Sequence, residues 1–151
     1  MISSRISEVL KFLTSTVFAG RPRLKNLAPD TPFYVIGDIH GRLDLLQLLL
    51  DRLANDVPII CVGDYVDRGD QSAEVLRFLH KREDILCLKG NHEEMLLQFV
   101  EDPARYGARW LQYGGLQTLA SFGVAPPSDL KDDKAVEACS GSLQTGRASG
   151  G

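Results

Sequence analysis

Three short, glycine-led segments hold the residues of this chain best suited to chemistry: GDIHG at 37–41, GDYVDRG at 63–69 and GNHEE at 90–94. They supply Asp38 and His40, then Asp64, Asp67 and Arg68, then Asn91 and His92, and they use two of the chain's 3 histidines. Asp64 follows Asp38 by 26 residues and Asn91 follows Asp64 by 27, each about one strand-helix-strand unit. Two carboxylates about 4 Å apart repel by roughly 4 kcal/mol at an effective dielectric of 20, so Asp38 and Asp64 need something between them. A shared proton would serve a bare carboxylate pair; a set that also holds imidazole and an amide oxygen is more economically served by a divalent metal ion. Aspartate, histidine and asparagine mix hard and borderline donors, which suits manganese, iron or zinc better than calcium. A carboxylate on the central loop, such as Asp64, could bridge two ions about 3.5–4 Å apart, a pair able to hold a hydroxide and clamp a phosphoryl group.

What positions these loops is also legible. PFYVIG (32–37), VPIICVG (57–63) and DILCLKG (84–90) are short apolar runs that end in glycine. Each leads through its polar loop into a stretch with helical spacing: RLDLLQLLLDRLA, DQSAEVLRFLHKRE and NHEEMLLQFVED. Strand and helix alternate three times, a βαβαβα order that predicts an α/β fold with a mainly parallel sheet. In such a sheet ligands bind at the carboxyl ends of the strands, where all three loops lie. ARYGARWLQYGGLQTLASFGV (104–124) reads as helix on both sides of Gly114-Gly115. Residues 1–30 read as a helix, with Ile6, Val9, Leu10, Leu13 and Val17 on one face, followed by a linker. Residues 126–151 open with two prolines and close on small and polar residues, so a disordered tail is expected there, after a domain over 31–125.

Plainer roles compete for the same residues. Asp38 and Asp64 could cap the helices that follow them, His40, His92, Asn91 and Asp67 could be ordinary loop residues, and Arg68 could pair with Asp67 or Asp70. Taken together in three ordered loops, the residues favour a site. His80, inside the second helix, reads as a surface or satisfied histidine, and Trp110, Tyr106 and Tyr113 as packing residues. A net charge of −3 with 25% charged residues shows no basic excess for nucleic acid. Cys61, Cys87 and Cys139 are odd in number and scattered, which argues against a disulfide framework or a zinc cluster. With no apolar run near the roughly 18 residues of a membrane span, no membrane partner is expected, and the cytoplasm is the expected location.

The three motifs, in this order and spacing, resemble the calcineurin-like metallophosphoesterase family. GDYVDRG is similar to the branch that holds serine/threonine protein phosphatases and bacterial diadenosine tetraphosphatases, and the likeness runs from about Thr31 to Val124. The resemblance implies the N-terminal part of a metallophosphoesterase β-sandwich flanked by helices. It implies two divalent ions, manganese foremost with iron or zinc as alternatives. By the same resemblance Asp38 and His40 bind the first ion, Asp64 bridges both, and Asn91 binds the second and faces substrate phosphate. His92 is implied as the general acid, Asp67 as the carboxylate that orients it, and Arg68 as a phosphate-binding cation. Glu93, in the first turn of its helix, is expected only to offset the helix dipole.

The implied function is a metal-dependent phosphoesterase that hydrolyses phosphomonoesters by attack of a metal-activated hydroxide, with phosphoserine and phosphothreonine in proteins as substrate. A bis(5'-nucleosyl)-tetraphosphatase-like hydrolase is the alternative, and a catalytically inactive metal-binding remnant is the alternative of another class. The family pattern also uses two downstream histidines for the second ion, and no histidine follows His92 in this sequence. The second metal site is therefore expected to be incomplete, the chain truncated after the third motif, and one face of its sheet uncovered.

Overall fold

The computed structural model describes residues 9–14 and 30–146. Three strands, β1 (Tyr34–Ile36), β2 (Ile59–Cys61) and β3 (Ile85–Cys87), form a parallel sheet in the order β1-β2-β3. Their register places Tyr34, Ile59 and Ile85 in one row, Val35, Ile60 and Leu86 in the next, and Ile36, Cys61 and Cys87 in the third. Side chains of successive rows point to opposite faces. Ile36, Ile59, Cys61, Ile85 and Cys87 are buried, whereas Phe33, Val35, Val62, Leu86 and Leu88, on the alternate phase, are exposed. One face of the sheet thus forms the core and the other is open among the described residues.

The helices follow in the expected order. After residues 9–14 (α1) come α2 (Leu43–Leu50), α3 (Ser72–His80), α4 (Asn91–Glu101), α5 (Pro103–Trp110), a wide turn over Leu111–Gly115, α6 (Leu116–Ser121) and α7 (Asp133–Thr145). Asp102 caps α5 by accepting from Arg105 N–H, and Pro103 occupies the first turn, where its missing N–H costs nothing. α3 buries Ala73, Val75, Leu76 and Leu79, and α4 buries Leu96 and Phe99, each on one helical stripe. α3 packs on α6, α4 on α5, and α5 on α7. In α1, Val9 and Leu13 are buried, as the amphipathic pattern predicts; Ile6 and Val17 lie outside the described residues. Among the described residues no helix is long and apolar enough to cross a membrane.

The expected disordered tail is corrected over most of its length. Asp132 accepts from the backbone of Lys134 and Ala135 and starts α7, which buries Val136, Cys139, Ser140 and Leu143. Those positions follow the spacing i, i+3, i+4, i+7 of a single buried stripe. Its small residues suit close packing: a Cβ at Gly107 of α5 would collide with Val136 Cγ1. The folded unit therefore continues past residue 125, and residues 147–151 lie outside the described part.

Candidate active site

The three polar loops meet because their backbones are tied together. Ile39 and His40 N–H donate to Asp64 O at 3.0 and 2.8 Å, and Gly41 N–H donates to Tyr65 O at 2.8 Å, joining the first loop to the second. The third loop joins through Glu93, which is fully buried. Its carboxylate accepts from the backbone N–H groups of Asp64, Tyr65, Val66 and Gly90 at 2.8, 2.7, 3.3 and 2.9 Å. A side chain at Gly63, where φ is +106°, would run into the backbone of Gly90, so the second and third loops touch main chain to main chain. Five non-glycine residues among those described have positive φ: Asp38, His40, Asp64, Asp67 and Arg68. Left-handed backbone at non-glycine residues costs about 1–3 kcal/mol each and gathers where a surrounding network enforces it. Here it gathers on five of the residues singled out from the sequence.

Within this frame His92 and Asp67 form a buried dyad, with His92 Nδ1 2.7 Å from Asp67 Oδ2. Asp67 is fully buried and is further held by Trp110 Nε1–H, at 3.1 and 3.0 Å from its two oxygens, and by Thr118 Oγ1–H at 2.7 Å. Burial pushes the Asp67 carboxyl above the ordinary aspartate range, opposed by the hydrogen bonds from His92, Thr118 and Trp110. Burial likewise raises Glu93, opposed by its four backbone donors. His92 Nε2 lies 3.3 Å from an Arg68 Nη2. The guanidinium can only donate, so Nε2 accepts and Nδ1 carries the proton given to Asp67.

His40 is arranged differently. Its Nδ1 is 2.9 Å from Val66 O, a carbonyl that can only accept, so Nδ1 carries the proton and Nε2 presents a bare lone pair. That Nε2 is buried and, among the described residues, has no hydrogen-bond partner. It lies 3.9 Å from Asp38 Oδ2, and one ligand atom each of His40, Asp64 and His92 fall within 4.8 Å of one another. An orphaned imidazole nitrogen between two carboxylates is a natural place for a divalent cation, and these residues fit one. Because both ring nitrogens of His92 are engaged, by Asp67 and Arg68, His40, Asp64 and Asp38 are the better donors.

The remaining residues occupy the rim. Asn91 is exposed at the head of α4, beside a cleft of about 200 Å³ that Glu94, Tyr106 and Arg109 also line. Arg68 is exposed; its guanidinium reaches His92, while its backbone N–H donates to Gly114 O at 3.2 Å. His80 is exposed at the end of α3, its ring 5.3 Å from that of Phe12. Of the aromatic residues read as packing, Trp110 is buried against Phe99 but also serves Asp67, Tyr106 is half-buried and Tyr113 is exposed. Glu93, Trp110 and Thr118 are the site residues that sequence reasoning missed. A signal existed for Glu93 alone, since glutamate at the third helical position also reaches back to cap the helix.

Comparison with known proteins finds relatives of this chain. Serine/threonine-protein phosphatase 2 of Escherichia coli is 44% identical over 85 residues, which cover 54% of this chain and 38% of that protein. The symmetrical bis(5'-nucleosyl)-tetraphosphatase of Azotobacter vinelandii is 41% identical over 101 residues, 64% of this chain and 34% of that protein. A Pseudomonas fluorescens protein of the same name is 46% identical over 76 residues, covering 48% of this chain and 26% of the relative. The matches thus span between a quarter and two-fifths of these relatives' own length. The calcineurin-like phosphoesterase family model matches residues 31–145, taking in all three loops, the sheet and α7. The chain belongs to the calcineurin-like phosphoesterase family.

Proposed function

We propose that this chain is a metal-dependent phosphoesterase acting on phosphomonoesters, with phosphoserine and phosphothreonine in proteins as its substrates. The observation that carries the reading is the pairing of a buried His92-Asp67 dyad with an orphaned His40 Nε2 at one edge of the sheet. Asp38, His40, Asp64 and Asn91 are the residues that would hold the metal, manganese by preference. Bound there, divalent ions supply positive charge to the phosphoryl oxygens and acidify water at neutral pH. Arg68 receives phosphoryl oxygens, and its guanidinium can hold two at once. His92, once protonated at Nε2, gives that proton to the departing alkoxide, while Nδ1–H stays on Asp67, whose negative charge stabilises the imidazolium. Substrate phosphate, by engaging Arg68, frees Nε2 from the contact it makes in the absence of substrate.

A dinucleoside tetraphosphate is the second substrate reading, supported by the tetraphosphatase match over 64% of the chain. The test is manganese-dependent hydrolysis of p-nitrophenyl phosphate by purified protein, with metal content determined on the same sample. A phosphothreonine peptide and diadenosine tetraphosphate are then compared by kcat/KM. Turnover that disappears on chelation and returns with manganese supports the reading, and faster hydrolysis of the tetraphosphate moves the substrate assignment to the second class. Protein that retains its fold, binds one metal or none and turns over nothing overturns it in favour of a catalytically inactive remnant.

A further inference from the structure

Asp67 keeps unusual company for a buried carboxylate. Apart from His92, its oxygens are bonded by two neutral donors, the Trp110 indole N–H and the Thr118 hydroxyl, which also accepts Asp67 N–H at 2.9 Å. Neutral donors satisfy the lone pairs of the carboxylate without cancelling its charge, so among the described residues His92 is the one group bonded to it that can answer that charge with its own. A lysine or arginine in the place of either donor would have neutralised Asp67 and left His92 with a hydrogen-bond acceptor of little field.

The chain has to bend to deliver both donors. Trp110 and Thr118 are eight residues apart, which on a straight α-helix is about 12 Å along the axis and about 80° round it. The wide turn Leu111–Gly115 breaks that geometry at Gly114, where φ is +110°, and folds α6 back so that the two side chains converge on one carboxylate. The same turn grips the neighbouring residue, because Gly114 O accepts Arg68 N–H at 3.2 Å. A side chain at Gly114 would place its Cβ 2.7 Å from that nitrogen. Trp110 is in turn stacked on Phe99, with ring centroids 4.5 Å apart, and Phe99 sits on α4, the helix that begins at His92's own loop.

We propose that Trp110 and Thr118, carried on the two sides of the Gly114 bend, are positioning residues of the phosphoesterase reaction that commit the Asp67 carboxylate to His92 Nδ1 and thereby aim Nε2 at the leaving oxygen. This deepens the function proposed above and rests on it for its kinetic readout, not for its spectroscopic one. Trp110→Phe keeps the ring and removes the N–H; Thr118→Val keeps the shape and removes the hydroxyl; Thr118→Ser keeps the hydroxyl.

In ¹⁵N-labelled protein, the His92 Nδ1–H proton is expected far downfield and slow to exchange. In Trp110→Phe and Thr118→Val it moves upfield and exchanges faster, and Thr118→Ser recovers most of the difference. In turnover, removal of either donor lowers kcat for phenyl phosphate by about 10-fold or more, against a KM changed less than about twofold. The loss is several-fold smaller for p-nitrophenyl phosphate, whose leaving group needs less protonation. A folded variant in which the His92 resonance is unmoved overturns the proposal, as does an equal loss on both esters. Thr118→Val decides the matter if Trp110→Phe does not fold. Absence of turnover in the unsubstituted protein would instead count against the proposed function, while the His92 resonance would still decide the clamp.

Discussion

The two ends of the sheet are built from similar residue types and organised in opposite ways. At the amino ends of β2 and β3, Asn55, Asp56, Arg82 and Asp84 line a shallow cleft. The charged pair there, Arg82 and Asp84, forms a two-bonded fork at 2.7 and 2.6 Å, with Asp84 61% exposed. At the carboxyl ends Asp67 and Glu93 are fully buried, and five residues hold positive φ. The amino end follows the cheapest solution, an ion pair in water worth little either way. The carboxyl end holds desolvated carboxylates and left-handed backbone that only a dense network of hydrogen bonds can sustain. The contrast is one of cost: in one small sheet, the strained end is the one that carries the three phosphoesterase motifs.

The largest expected effect that would sharpen this contrast is at Asp64. Asp64→Asn should lower metal content and cut turnover by about 10³-fold or more, measured by metal analysis and p-nitrophenyl phosphate hydrolysis. Full metal content in that variant would break the assignment of Asp64 as a ligand. Next comes His92→Asn, for which a loss of about 10²–10⁴-fold in kcat is expected with metal content unchanged. Loss of metal instead would make His92 a ligand and not the acid. Glu93→Gln replaces an acceptor of four backbone N–H groups by an amide that can turn only one oxygen towards them. A destabilisation of about 2–4 kcal/mol by denaturant unfolding is expected.

The smallest effect is expected at the opposite end. Asp84→Asn should move Tm by less than about 2 °C. The Arg82 hydrogen bond holds Asp84 below the usual carboxylate range. Its small contribution is therefore present above the ordinary aspartate pKa and fades as pH falls through the lowered native value, which a pH series of Tm on both proteins measures. A large effect at Asp84 would erase the contrast between the two ends.

What the sequence made legible is what local patterning encodes. Val35, Ile60 and Leu86 fall out of phase with their buried neighbours, and the glycine at the end of each run announced its loop. Regular spacing then made the loops neighbours, and the bonds from Ile39, His40 and Gly41 to the second loop are its physical expression. Residues whose roles arise across long stretches of chain stayed hidden. Trp110 and Thr118 meet Asp67 from 43 and 51 residues away, through a bend that no propensity indicates. Helix α7 escaped because its buried stripe is built of Val136, Cys139, Ser140 and Leu143, where small side chains fit under Gly107 but carry little apolar signal. Glu93 stood at the third helical position, where a glutamate can reach back to cap its own helix, but its bonds to Asp64, Tyr65 and Val66, 27–29 residues away, carry no local signal.

The chain contains a single tryptophan, and it is the one bonded to Asp67. Intrinsic indole emission from this chain therefore originates at one point, packed on Phe99 and bonded to the carboxylate that holds His92 Nδ1. An indole buried there should emit towards the blue, and any event that changes the charge or reach of Asp67 should alter its intensity. Under the proposed function, metal loading, phosphate occupancy and loss of the dyad would each register as a change in light output without a label. The residue proposed to steady Asp67 would also be its built-in optical gauge.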